Sequence, residues 1–380
     1  MKKCILLLIP LIIFVAFTNL KTVKAETLND NIEKQLENID FSELSDFFQN
    51  NGQEDAFYNN LNSLLKGEYE FSFDGIKNYI INSFISNFKN LTPIFLTVLG
   101  IVLICEIFNA IKGNLLSKQT TEIVNLVCVL SVFSLVVVEV IKVFKNTIII
   151  IENIAKLTEI MSPIILTLMI ATGGSVSANI YKPTVSFLST GIVYVFSKIL
   201  LPIVGLIFIF SILSAISTSI KVDKLSDACS SAFKWIIGIV ITIFTVFLSI
   251  QGLSSATFDG ISFKAAKYAI SNSIPIVGGL IKDGFDLVIA GSLLIKNAVG
   301  LSSLFCFFYI VISPLLYIFC LSFLLKFFAG VIELFSDVTI PNLLIKCSKT
   351  LSHLTAIILV TSLMFFITIL LIIISANSFI

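Results

Sequence analysis

The sequence predicts an all-α fold: a polytopic membrane helical bundle of seven or eight spans with a small extracytoplasmic helical N-terminal segment. Three observations predict it. Hydrophobic residues make up 57% of the 380 and charged residues 13%, against ~45–50% and ~25% in soluble domains. The apolar residues gather in runs close to the ~20 residues that a helix needs to cross hydrocarbon. The chain also opens with the plan of a secretory signal peptide.

In that opening segment, Lys2 and Lys3 form a basic n-region and residues 5–17 an apolar h-region. Val23-Lys24-Ala25 supplies the small residues that precede cleavage, so 1–25 reads as a signal peptide and the alternative is an uncleaved anchor. Residues 26–90 change character, with twelve carboxylates against four lysines and a net charge of −8. Acidic residues offer little resistance to translocation, so this segment is expected outside the cytoplasm. Apolar residues recur at helical spacing at Ile32, Leu36 and Ile39, at Phe47 and Phe48, and at Leu61, Leu64 and Leu65. They suggest short amphipathic helices, broken at Asn50-Asn51-Gly52. Residues 71–88 read as a helix lying on the membrane surface.

The polytopic domain, 91–380, follows. Apolar runs fall near 91–109, 123–141, 160–173, 185–213, 235–252, 270–295, 299–325 and 354–375. The third is short and adjoins an amphipathic stretch at 146–159, hence seven or eight spans. Lys112, Lys118, Lys326, Lys346 and Lys349 then fit cytoplasmic loops. Lys221, Lys224 and Lys234 fall outside, against the positive-inside trend.

Several function classes are disfavoured. The net charge of +1 leaves no basic surplus for nucleic acid. Every basic residue is lysine, so there is no guanidinium clamp for phosphate. The lone His353 has no partner at ligand spacing, and the seven cysteines form no C-x-x-C pair, so neither a metal site nor a cofactor is expected. No phosphate loop or nucleophile elbow occurs, so the chain is not expected to be an enzyme.

Two stretches carry the candidate residues. In 273–300, Pro275, Gly278 and Gly279 precede Lys282, Asp283, Asp286, Lys296 and Asn297. Charges at bilayer depth cost ~2.5–3.5 kcal/mol each on insertion scales and tend to pair or line a cavity. Asp283 and Asp286 share a helix face, whereas Lys296 meets Asp286 only if the helix breaks between them. The alternative is a loop at 282–286 with Lys296 snorkelling. In 161–183, small residues including Gly173 and Gly174 lead to Pro183, as where helices approach closely or unwind. A shift of 112 carries Pro163 and Pro202 onto Pro275 and Pro314, a spacing that suggests paired broken helices, as in transporters. Glu106 and Glu139 read as interfacial.

These stretches, TGGSVSANIYKP and IPIVGGLIKDGFDLVIAGSLLIKNAVG, resemble the stage III sporulation protein AE family of endospore-forming bacteria, and the likeness extends over the whole chain. The resemblance implies a permease-like protein of the mother-cell membrane. It implies as partners the other stage III A-operon proteins and the forespore stage II sporulation protein Q, in a channel-like complex that links mother cell and forespore. Any ATPase would be a separate subunit, and no catalytic residue carries over. A stand-alone secondary transporter of a small solute is the alternative. Membrane lipid is the remaining expected partner.

Overall fold

The computed structural model describes residues 32, 34–37, 39–69, 72–111, 118–216, 222–273, 277–336 and 338–375, with the backbone alone for 111, 118–121, 251–273 and 277–285. The expected signal peptide lies outside the described residues. Two short helices, α1 (Ser42–Asn50) and α2 (Glu54–Lys66), precede six long ones. These are α3 (Phe73–Ile111), α4 (Lys118–Ala171), α5 (Ser175–Ile216, with π-helical turns at Phe187–Gly191 and Phe196–Leu200), α6 (Asp223–Ser273), α7 (Val277–Glu333) and α8 (Thr339–Ser375).

Among the described residues, six helices are long and apolar enough to cross a membrane, where the runs alone suggest seven or eight. The difference has a local cause. The runs 123–141 and 160–173 both lie on α4, because the stretch between them contains no glycine or proline and keeps one apolar stripe. Val143, Thr147, Ile150, Ile151, Ile154, Leu157, Thr158 and Met161 are buried, while Lys145, Glu152, Lys156 and Glu159 are exposed. Likewise, Lys296-Asn297-Ala298 between two later runs is no helix breaker, and α7 continues through it. The surface helix expected at 71–88 becomes the first part of α3, in line with the span that follows.

At ~1.5 Å per residue, the 54 residues of α4 and the 57 of α7 extend ~80 Å or more, well over the ~30 Å of a hydrocarbon core. Parts of both helices therefore stand outside it. Pro93, Pro163 and Pro314 sit inside continuous helices and do not break them as the paired spacing suggests. Pro93 and Pro163 lie on exposed faces, where the missing N–H and the bulky ring disturb no packed neighbour.

Consecutive long helices run antiparallel. Asn109 donates to Asn125 across α3 and α4 at 2.9 Å, and Ser211 meets Ser226 across α5 and α6 at 3.0 Å. Between α7 and α8, Ser322 meets Ser348 at 2.7 Å and the Phe307 and Phe365 rings lie 4.5 Å apart. One end of the bundle thus gathers 111, 118, 216, 223, 333 and 339. The other gathers 73, 171, 175 and 375, near the level of Lys296 in α7, and the first turns of α7 extend beyond it. Lys346 reaches Asp223 at 2.9 Å and Ser214 at 2.7 Å, so Lys224 and Lys234 point to the same end as Lys326, Lys346 and Lys349. The sequence reading separated these two groups. Fusion of two runs into α4 removes one crossing before residue 221 and reverses the parity.

Helix α8 is the most buried of the six and α6 the least. The amino-terminal helices are docked on the bundle. Leu44, Phe47, Phe48, Phe57 and Leu61 form their shared core, with Phe48 stacked on Phe57 at 4.8 Å. Gly52 (φ 66°) and Gly67 (φ 70°) take the left-handed conformation after α1 and α2, which glycine adopts without a Cβ clash. Ahead of α1, the Ser42 hydroxyl and then its amide hold the exposed Asp40 carboxyl below its ordinary pKa. After α2, Tyr69 stacks on Phe305 of α7, and burial pushes its phenol up to about 12.

Candidate functional site

The two stretches singled out in the sequence meet at the last turn of α8. The final carbonyls of a helix have no partner within it and carry the negative end of its dipole. Here the partners come from other helices. Lys296 of α7 is fully buried, and its ammonium donates to the Ile373 carbonyl at 2.8 Å and the Ile372 carbonyl at 3.5 Å. Tyr181 of α5, also buried, donates its hydroxyl to the Leu371 carbonyl at 3.3 Å. Ser375 turns back on the Ile372 carbonyl at 3.1 Å. One turn beyond Lys296, Gly300 lets α8 come close. A Cβ there would lie 2.5 Å from Ile373 Cδ1 and 4.0 Å from Ile165 Cδ1 of α4. Residues of α4, α5 and α7 thus enclose one helix end.

The turn at Gly173-Gly174 sets this arrangement up. Gly173 has φ 91°. The Gly174 amide donates to the Met169 carbonyl and the Gly173 amide to that of Ile170, both at 2.9 Å. This pattern is a Schellman cap, and it ends α4 sharply. The Thr172 hydroxyl adds a bond to the Met169 carbonyl at 2.7 Å. A Cβ on Gly174 would lie 3.0 Å from that same carbonyl oxygen. Helix α5 therefore reverses at once, which places Tyr181 beside α8. Pro183 follows two residues later, inside the helix and on its exposed face.

Other candidates do not converge. Helix α7 is continuous, so Asp286 stands ~15 Å along the axis from Lys296, and the break that would bring them together is not there. Asp286 is half-buried. Gly278, Gly279 and Asp283 fall in the first turns of α7, of which only the backbone is described, and Pro275 lies outside the described residues. Asn297 is buried with its side-chain oxygen unpartnered, as are the hydroxyls of Ser302, Ser303 and Ser362. Among the described residues no three His, Cys, Asp or Glu side chains converge as metal ligands. His353 bonds to Ser230 at 3.0 Å and sits edge-on to Phe233.

Sequence reasoning missed two polar junctions. Glu139, read as interfacial, is buried and accepts from Tyr317 of α7 and from Lys142 at 2.6 Å. Its apolar neighbours gave no sign of a partner 178 residues away. The second junction holds the amino-terminal segment. Gln35 donates to the Val288 carbonyl at 3.3 Å and accepts from Ser292 at 3.0 Å, directly over Gly291. Asn153 of α4 donates to Asn51 at 3.0 Å. The absence of side chain at Gly291 was the legible signal, but nothing in the sequence names Gln35 as the group above it.

Comparison with known proteins gives the context. The family model described as stage III sporulation protein AE matches residues 56–376. The chain is 25% identical over 363 residues to the stage III sporulation protein AE of Bacillus subtilis (strain 168), covering 93% of this chain and 90% of that protein. No solved structure matches it. A family match of that extent, over a bundle of long apolar helices, establishes that the chain belongs to the stage III sporulation protein AE family.

Proposed function

We propose that this chain is a permease-like integral membrane subunit of the channel complex that links mother cell and forespore, and that late forespore development requires it. The observation that carries the reading is the family match across nearly the whole membrane bundle. In this reading the other stage III A-operon proteins and stage II sporulation protein Q are its partners. The docked helices α1 and α2 lie on the extracytoplasmic face of the mother-cell membrane and offer a surface to them. The connections at the opposite end hold Lys112 and Lys221, with Lys118 and Lys224 beside them, whereas 172–174, 274–276 and 376–380 hold no lysine. That asymmetry supports a cytoplasmic lysine-bearing end.

The junction at the end of α8 fits a packing role better than a solute path. Gly173, Gly174, Lys296 and Gly300 bring helices together. The unbroken α7 lends little support to a stand-alone transporter, whose site is usually built from broken helices.

Deletion of the gene tests the reading. It should block sporulation after engulfment, and a plasmid copy should restore it. Normal heat-resistant spores from the deletion strain would sink the proposal. Solute flux through liposomes holding this chain alone would favour the transporter instead.

A further inference from the structure

Helix α6 carries a groove of ≈ 510 Å³ lined by Lys234, Trp235, Gly238, Ile239, Thr242 and Ile243. We propose that this groove binds an anionic phospholipid, with its headgroup on Lys234 and Trp235 and an acyl chain along Gly238 and Thr242. The case rests on the order of chemistry along one helix face. The lining residues recur at i, i+4 and i+8, so they form one strip. At its mouth stands Lys234, toward the lysine-bearing end of the bundle, and among the described residues Lys234 makes no ion pair.

Beside Lys234 is Trp235, the chain's only tryptophan and 74% exposed. An indole so placed has the amphipathic character of a headgroup-level residue. One turn deeper, Gly238 leaves a notch, since a Cβ there would meet nothing within 4 Å. Beyond it the strip is apolar to a neighbour, because the Thr242 hydroxyl is spent on the Gly238 carbonyl at 2.8 Å. A cation, an interfacial ring and then an apolar channel match a lipid from headgroup to chain. A protein helix would not need the cation at one end.

The mouth is held rigidly, which separates it from an ordinary lipid-facing helix. The turn before Lys234 is fixed to α8 by the Ser230–His353 bond and by the Phe233–His353 ring contact at 4.8 Å. Lys349, exposed one turn before His353 on α8, adds a second positive charge to that helix. The inference is independent of the sporulation reading.

Trp235 makes the test direct, because it is the sole indole fluorophore. The full chain is reconstituted in vesicles containing brominated phosphatidylglycerol or brominated phosphatidylcholine at equal mole fraction. Wild-type fluorescence should be quenched preferentially by the anionic lipid, with a relative affinity about fivefold higher, as one lysine near an anionic headgroup supplies. Lys234→Gln should abolish the preference and keep the quenching. Gly238→Leu, whose side chain enters open space, should fill the notch and weaken quenching by both lipids while helicity stays at the wild-type level. Equal quenching by both lipids in the wild type would overturn the proposal, as annular lipid alone predicts that result. So would displacement of the preference by inorganic phosphate, which would mark a simple anion site, or Trp235 shielded from both lipids by a second copy of the chain.

Discussion

Lys296 shows how a charge in an apolar segment can be neither a pathway residue nor a snorkelling one. Its ammonium is fully buried, and a buried cation without partners would be costly. It bonds to the carbonyls that a helix end leaves free, so the same contact relieves two unsatisfied groups. Lys296→Ala should remove the cross-helix donor of the Ile373 carbonyl and cost ~1–3 kcal/mol, read as a lower unfolding midpoint in detergent. Lys296→Met, which keeps most of the volume, should cost less than Lys296→Ala. Equal midpoints for wild type and Lys296→Ala would show that the bonds contribute nothing. Gly300 offers a second test on the same helix end. Gly300→Val should overpack against Ile373 and destabilise by ~1–3 kcal/mol. Adding Ile373→Ala should relieve part of that loss, so the double variant should be more stable than the sum of the singles predicts. Strict additivity would mean that the close approach of α7 and α8 is wrong.

The cap that ends α4 belongs to the scale of elements. Gly173 alone among residues 172–174 takes a positive φ, where an L side chain costs ~1–2 kcal/mol. Gly173→Ala should therefore destabilise the α4–α5 hairpin, and Gly174→Ala should do so through the Met169 carbonyl instead. The docked α1–α2 pair makes a separate prediction. Phe48 is wholly buried, and Phe48→Ala should cost ~3–5 kcal/mol locally. Limited proteolysis should then cut within 42–66 well before the long helices are attacked. Uniform resistance would show that α1 and α2 do not depend on this core.

What the sequence made legible divides along the same lines. Composition and run length show helices and a membrane, and Asn50-Asn51-Gly52 and Gly173-Gly174 mark true breaks because glycine there supplies a φ that other residues resist. Prolines mislead, because a proline on an outward helix face disturbs little. The short third run looks like a separate span because apolar density falls at 142–159, but density and helicity are different properties. Contacts such as Gln35–Ser292 and Glu139–Tyr317 join residues 257 and 178 positions apart, and no local spacing encodes them.

At the scale of the whole molecule, the merged runs decide which way the chain faces. Six crossings, one for each helix long and apolar enough to span, would place both ends of the long-helix bundle, 73 and 375, on one side, together with the docked α1 and α2. Seven would separate them. Lys118 and Lys224, in the first turns of α4 and α6, lie at the other end, where the positive-inside bias expects the cytoplasm. A phosphatase that is active only when exported should therefore work when fused after Ile380 and fail when inserted at 217–221. A β-galactosidase reporter at the same two positions should behave in the opposite way. An inactive phosphatase at the C-terminus would restore an odd number of crossings and require α4 or α7 to be split by the membrane. An active phosphatase at 217–221 would turn the lysine-bearing end outward and put the docked α1 and α2 on the cytoplasmic side, against the proposed role.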